Sequence, residues 1–219
     1  PYEVEAHTWQ RRAKRGVKIE NEPLPFSAIT EDQRLLFGES TPKICKGWII
    51  VFCQIEAVVK WKESIEKGGA KYKRACIWVK PDGMPQFSGD RPGMGYESIV
   101  ALWSGKGRSV WNGGGRNGVF TFNKQESQEK APHPTTKPIL LMKTLVSLFS
   151  NQGETVLDAY MGSGSTGVAC AKSGRKFIGI EINEEYFEIA CNRIKNAYAQ
   201  PDFFIGQDIE YPEQQKMDM

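Results

Sequence analysis

This sequence is short of the residues that build metal sites, disulfide frameworks and membrane spans. Only two histidines occur in 219 residues, His7 and His133. The five cysteines (45, 53, 76, 170 and 191) form no C-x-x-C pair. Zinc-ligand spacing is lacking, so no metal is expected. A disulfide-stapled scaffold is equally disfavoured, and a reducing cytoplasm is the expected setting. No apolar run approaches the roughly 18–20 residues that cross a bilayer, and no stretch reads as a signal peptide. A chain of this length is expected to form one α/β domain.

Charge is also sparse in sum, with a net value of +3, but it is unevenly placed. Residues 150–219 carry six Lys/Arg against eleven Asp/Glu, net −5, which leaves +8 on residues 1–149. A basic half beside an acidic half suits a protein that turns one face to phosphate. The densest basic run is Arg11-Arg12-Ala13-Lys14-Arg15, followed by Lys18. Such a run is as readily a solvated face as a nucleic-acid contact.

The informative segment is Thr155-Val-Leu-Asp-Ala-Tyr-Met-Gly-Ser-Gly-Ser-Thr-Gly-Val-Ala-Cys170, followed by Phe177-Ile-Gly-Ile-Glu-Ile182. A short apolar run ends in Asp158, a glycine turn leads to a small-residue helix, and a second apolar run closes on Glu181. The pattern is one βαβ unit with an acid at the end of each strand, a pocket for a nucleoside. Asp158 can accept hydrogen bonds from an amine. Glu181, 19 residues past Gly162, can take both ribose hydroxyls.

Gly162-x-Gly164-x-x-Gly167 also satisfies the dinucleotide spacing, so NAD or FAD competes. In a dinucleotide fold the first glycine lies at the strand end, where pyrophosphate rests on the helix N-terminus. Here Asp158-Ala-Tyr-Met161 intervenes. Its carboxylate would repel pyrophosphate and attract the cationic amino group of S-adenosylmethionine (SAM).

Upstream, His133-Pro-Thr-Thr-Lys-Pro138 leads into an apolar helix over 139–149, most simply a core helix. Residues 47–53 read as a buried strand, 55–67 as a helix ended by Gly68-Gly69, and 75–80 as a strand stopped by Pro81. Residues 96–103 form the next strand, pairing with the last as a hairpin across the loop 82–95. Residues 184–199 read as an amphipathic helix, and the tail from Pro212 is polar.

His-Pro-Thr-Thr-Lys-Pro, then Leu-Asp-Ala-Tyr-Met-Gly-Ser-Gly-Ser-Thr, then Gly-Ile-Glu-Ile resembles the amino-group DNA methyltransferases, which modify adenine N6 or cytosine N4. The order resembles the permuted branch, whose catalytic motif precedes its cofactor motif. Tyr160 stands where that family usually has Phe. The resemblance implies a Rossmann-like SAM-dependent methyltransferase fold, mostly a parallel central sheet with one antiparallel hairpin strand. It implies SAM as cofactor, with Asp158 on the methionine amino group and Glu181 on ribose. Tyr160 would wall the pocket, and Gly162, Ser163 and Gly164 would pass close beneath the cofactor. Ser165 and Thr166 would bond the carboxylate at the helix start, while Thr135, Thr136 and Lys137 would close the site. His133 is expected to be structural.

The same resemblance identifies Pro1-Tyr2 as the end of the catalytic (Asp/Asn/Ser)-Pro-Pro-Tyr tetrapeptide, with Tyr2 stacking on the target base. Upstream residues carrying the missing acid are therefore expected. It divides one methyltransferase domain into a catalytic half at 1–104, a candidate target-recognition loop at 105–130, a SAM-binding half at 131–200 and a tail at 201–219. Lys106, Arg108 and Arg116 of that glycine-rich loop, with Arg11, Arg12, Lys14 and Arg15, are the expected contacts to double-stranded DNA. The implied reaction moves a methyl group to an exocyclic amine of a flipped base, adenine N6 in preference to cytosine N4. A cognate restriction endonuclease is a candidate partner. The rivals are a protein-glutamine methyltransferase, an NAD-dependent oxidoreductase, and a DNA-binding module without catalysis.

Neutralising Arg11, Arg12, Lys14 and Arg15 together should weaken duplex binding and flatten its dependence on salt. Equal affinity and slope in a salt titration would return the run to plain surface.

Overall fold

The computed structural model describes residues 28–83, 85–86, 89–124 and 136–199, together with the backbone of two short strands, Arg11–Arg12 (β1) and Lys18–Ile19 (β2), which pair antiparallel. Pro1, Tyr2, Lys14, Arg15, His133 and Thr135 lie outside the described residues, as does the tail beyond Ala199.

Helix α1 (Glu31–Ile44) opens on a capping box: Thr30 accepts from the Gln33 N–H, and the Gln33 side chain accepts from the Thr30 N–H. Strand β3 (Trp48–Cys53) follows, then a single 3₁₀ turn (Ile55–Ala57) and helix α2 (Val58–Lys67). Gly69, at φ 102°, provides the left-handed residue that turns the chain into β4 (Lys71–Val79). Strand β5 (Tyr96–Trp103) returns antiparallel to β4 across the long loop, as expected for the hairpin. A three-residue strand, β6 (Val119–Thr121), runs parallel to the end of β4. It falls within the segment expected to be a recognition loop, and its Phe120 is fully buried.

The four strands lie in the order β3-β5-β4-β6. Strands β3, β4 and β6 run one way and β5 the other. β5 is central and buried on both faces, from Glu97 to Trp103. Helix α3 (Ile139–Phe149) then leads to β7 (Thr155–Asp158), α4 (Ser165–Lys172), β8 (Lys176–Gly179) and α5 (Glu184–Ala199). β7 and β8 pair in parallel as a separate two-stranded sheet. Among the described strands, β3 pairs only with β5, and β7 only with β8.

The alternation of β3 explains the layers. Ile49, Val51 and Cys53 face α1 and α2, where Trp61 and Ile65, four residues apart on α2, are fully buried. Ile50 and Phe52 face α3. On that side Leu141, Leu145 and Leu148 of α3 join Cys76, Trp78, Ile99 and Phe120 of the larger sheet to Ala169 and Cys170 of α4. Val156 and Phe177 of the smaller sheet pack against the same cluster. One helix thus carries a continuous core beneath both sheets.

α1 crosses α2 at Gly38 because a larger residue would not fit. A Cβ there would lie 2.1 Å from the Ser64 Oγ and 2.4 Å from the Ser64 carbonyl oxygen. Gly38→Ala should destabilise the protein by about 1–3 kcal/mol, the usual range for overpacking. Urea unfolding measures this, and a change below about 0.5 kcal/mol would contradict so tight a crossing.

Candidate functional site: two strand-end carboxylates and a glycine turn

Asp158 closes β7, and Glu181 follows β8 by two residues, so both carboxylates stand at the same end of the parallel pair. Between them runs the turn 160–164. Each acid is oriented by the turn it borders. Asp158 accepts from the Tyr160 N–H at 3.0 Å and from the Thr166 hydroxyl at 2.5 Å. Glu181 accepts from the Gly162 N–H at 2.9 Å and from the Asn183 N–H at 3.0 Å. Gly162 and Gly164 adopt φ of 51° and 81°, a left-handed backbone that side chains resist. Gly164 is also crowded, since a Cβ there would lie 2.9 Å from that of Ala190 on α5.

Helix α4 begins at Ser165, and its first N–H groups point toward the turn. The Ser165 hydroxyl is buried and makes no hydrogen bond. A buried donor at a helix N-terminus is matched to an anionic group such as a carboxylate. Thr166 belongs instead to Asp158, and it orients the acid rather than standing free for a ligand. Tyr160 is half exposed beside the turn, with its ring 6.0 Å from that of Phe37.

Thr136 reaches the site from the loop before α3, its hydroxyl 3.2 Å from that of Ser163. Lys137 does not follow it. Its ammonium pairs with Glu97 at 3.1 Å and lies over the Phe52 ring, 5.1 Å from the centroid. Lys80, at the end of β4, pairs with the same carboxylate at 2.9 Å and sits over Trp78. Burial alone would raise the Glu97 pKa, but the two lysines outweigh it and hold the carboxyl below its usual range. The chain positions Lys137 as a strut between α3 and the strand ends of the larger sheet.

The glycine-rich loop after β5 lies away from this site. Trp48, at the start of β3, donates its indole N–H to the Val110 carbonyl. Asn112 donates to the Ser147 and Ser150 carbonyls at the far end of α3, and Trp111 packs on Phe149. With Thr136 at one end of α3 and Asn112 at the other, roughly 16 Å of an 11-residue helix separates them. Lys106 and Arg108 sit in the stretch anchored by Ser104 and Val110 near the start of β3. Arg116 lies over the Phe120 ring at 5.8 Å. The structure places these three cations away from the glycine turn 160–164. The loop after β4 and the exit from β6 are tied together where Asp82 accepts the Lys124 N–H with both oxygens at 2.8 Å.

Sequence reasoning missed Glu97 as a hub, Asp82, and Arg193 of α5. Arg193 donates to the Ser163 carbonyl at 2.6 Å and to its hydroxyl at 3.0 Å. The only signal was positional: Arg193 falls on the apolar stripe of α5, between Ala190 and Ala197. Burial pushes the Cys170 thiol up to about 12 and raises those of Cys45 and Cys76. Among the described residues no cluster of His, Cys, Asp and Glu could hold a metal, and no helix is long and apolar enough to cross a membrane.

Removing the Lys137 ammonium (Lys137→Met) should cost about 1.5–3 kcal/mol, the scale of a hydrogen bond to a charged group. Because the folded Glu97 pKa is lowered, its stabilisation is complete above the unfolded carboxyl value of about 4.3 and is lost as pH falls through the folded value. The stability gap between wild type and Glu97→Gln should therefore hold at pH 7 and narrow in acid. A pH-independent gap in urea titrations would contradict the ion-pair account.

Comparison with known proteins places this geometry. A family model described as DNA methylase, of the N6/N4 methyltransferases, matches residues 45–192. Type II methyltransferase M.Cfr9I of Citrobacter freundii is 30% identical over 141 residues, covering 60% of this chain and 47% of that protein. DNA adenine methyltransferase YhdJ of Escherichia coli K12 is 50% identical over 62 residues, 28% of this chain and 21% of the relative. The chain thus spans about half or less of the length of these curated relatives. The crystal structure of an M1.HpyAVI–SAM complex superposes with a TM-score of 0.66 at 29% identity, covering 75% of this chain and 81% of the other. The cytosine-N4-specific PvuII DNA methyltransferase shares the fold at a TM-score of 0.65 and 16% identity, over 77% of this chain and 75% of its own. With the motif order, the turn between two strand-end acids and the matched family in agreement, this chain belongs to the amino-group DNA methyltransferases of the adenine-N6/cytosine-N4 family.

Proposed function

We propose that the protein binds SAM and methylates an exocyclic amine of double-stranded DNA, adenine N6 in preference to cytosine N4. The observation that carries this reading is the paired engagement of Asp158 and Glu181 on either side of the turn. The first glycine's N–H is taken by Glu181, so it is not offered to a pyrophosphate as a dinucleotide site requires. The orphan Ser165 hydroxyl at the start of α4 suits a carboxylate, and the strand-end acids suit an amine and a ribose. The residues present therefore fit SAM, which supplies an electrophilic methyl group when bound.

In this reading Asp158 holds the amino group, Glu181 the ribose hydroxyls, and Ser165 with the α4 N-terminus the carboxylate. Gly162, Ser163 and Gly164 keep the backbone low beneath the cofactor, and Tyr160 walls it. Thr136 takes part through Ser163, and Thr135, next to it in sequence, is assigned the same role; Lys137 acts by bracing the entry to α3. An exocyclic amine is a poor nucleophile because its lone pair is delocalised into the ring. An acid side chain and the backbone carbonyl after it, accepting the two N–H hydrogens, would free that lone pair; position and electrostatics carry such a step. The target base must leave the duplex to be reached, and Tyr2 is the residue for its face, a contact worth on the order of 1–3 kcal/mol.

Preference for adenine is supported by the 50% identity, over 62 residues, to a DNA adenine methyltransferase. The basic run at 11–15 is the proposed phosphate contact, supplemented by the cations of 106–116 on a more distant part of the duplex.

Nucleoside mass spectrometry of unmethylated DNA, incubated with full-length protein and SAM, should yield N6-methyladenine. N4-methylcytosine would correct the base, and no methylated base would overturn the reading. Asp158→Ala should abolish SAM binding with the circular dichroism spectrum unchanged; retained affinity would refute its role.

A further inference from the structure

Nothing in the reaction as described uses Arg193, yet it makes the only charged contact to the glycine turn from α5 among the described hydrogen bonds that reach residues 160–164. Its two acceptors are on one residue, the carbonyl at 2.6 Å and the hydroxyl of Ser163 at 3.0 Å, and Ser163 is buried. We propose that Arg193 is a positioning residue for the cofactor, locking the peptide between Ser163 and Gly164 in the orientation that SAM requires. The proposal rests on SAM being the ligand of this turn.

The physical case begins with the glycines. A peptide flanked by a left-handed glycine can flip at little steric cost, because Gly164 tolerates φ of either sign. That one peptide carries the Ser163 carbonyl toward Arg193 and the Gly164 N–H toward the Met161 carbonyl, 2.8 Å away. A flip would break both bonds and displace the residue that caps α4, whose carbonyl accepts from Val168. The guanidinium opposes the flip with a charge-assisted bond, stronger than one between neutral groups. One terminal nitrogen of the guanidinium, Nη1, reaches carbonyl and hydroxyl together, and the shorter side chain of a lysine matches that reach less well.

Two further contacts give the lock its consequences. The Ser163 hydroxyl also meets Thr136, so Arg193 couples α5, the turn and the loop entering α3 through one buried side chain. Gly167 of α4 meets Ile194, the residue beside Arg193, so closely that a Cβ would lie 2.4 Å from its Cδ1. The arginine is thus presented by a helix pressed onto the start of α4, and its reach is set by packing. Ser165, with its unpartnered hydroxyl, is the next residue but one. Where that hydroxyl points depends on the peptide that Arg193 holds.

The test compares wild type, Arg193→Met and Arg193→Lys as full-length protein, by calorimetric SAM titration, steady-state methylation and thermal unfolding without SAM. Wild-type binding is read first, and its absence would overturn the SAM reading rather than the lock. Arg193→Met should raise Kd and KM for SAM about tenfold, the lower end of what a charged hydrogen bond is worth, with kcat at saturating SAM within about twofold of wild type. Arg193→Lys should fall between the two, and it decides the matter if the methionine variant does not fold. An unchanged Kd and KM in a folded variant overturns the proposal. So does a lower melting temperature with unaltered SAM affinity, or a loss confined to kcat.

Discussion

The site depends on one constraint: the turn 160–164 must stay in a left-handed, closely packed path between two carboxylates. Asp158 and Glu181 each accept two hydrogen bonds from that turn or its borders. Their oxygens have capacity left for a ligand, since a carboxylate offers about four acceptor sites. The same bonds that shape the backbone therefore aim the acids before any ligand arrives. Such prepayment of orientation is what lets binding energy be spent elsewhere. The glycines are required by conformation at 162 and 164 and by crowding at 164 and 167.

Helix α3 connects this turn to the rest of the molecule. Its entry holds Thr136 against Ser163 and Lys137 against Glu97, and its exit is clasped by Asn112 and Arg175. Its apolar face packs under both sheets. Breaking a buried charge pair leaves a charge unmatched, which costs more than the pair contributes when intact. Glu97 avoids that penalty only because β4 and the loop before α3 each deliver a lysine. The three-residue cluster therefore ties the hairpin of the larger sheet to the cofactor half.

Local features were the most legible in the sequence. The strand over Tyr96–Trp103 and the helices Ile139–Phe149 and Glu184–Ala199 are where their apolar patterns put them. Helix α1 was missed because Gly38, Ser40 and Pro42 blur its period, although Thr30 and Gln33 spelled its capping box. Strand β6 was missed because three residues among glycines carry little pattern, and only pairing with β4 gives them a strand's hydrogen bonds. The turn and its two acids were plain because one βαβ unit fixes their spacing. The Glu97 cluster joins residues 17 and 40 apart and the Arg193 contact one 30 apart, and no local rule encodes such pairings. The path of the glycine-rich loop was not legible, because glycine and arginine content fits many loop paths; Trp111 and Asn112 anchor it at the exit of α3.

The central claim is that this turn is built for SAM and closed to a dinucleotide. Parallel calorimetric titrations of the wild-type protein with SAM and with NADH test it most directly. The account predicts saturable one-to-one binding of SAM and no heat of binding with NADH. Binding of NADH without binding of SAM would contradict it.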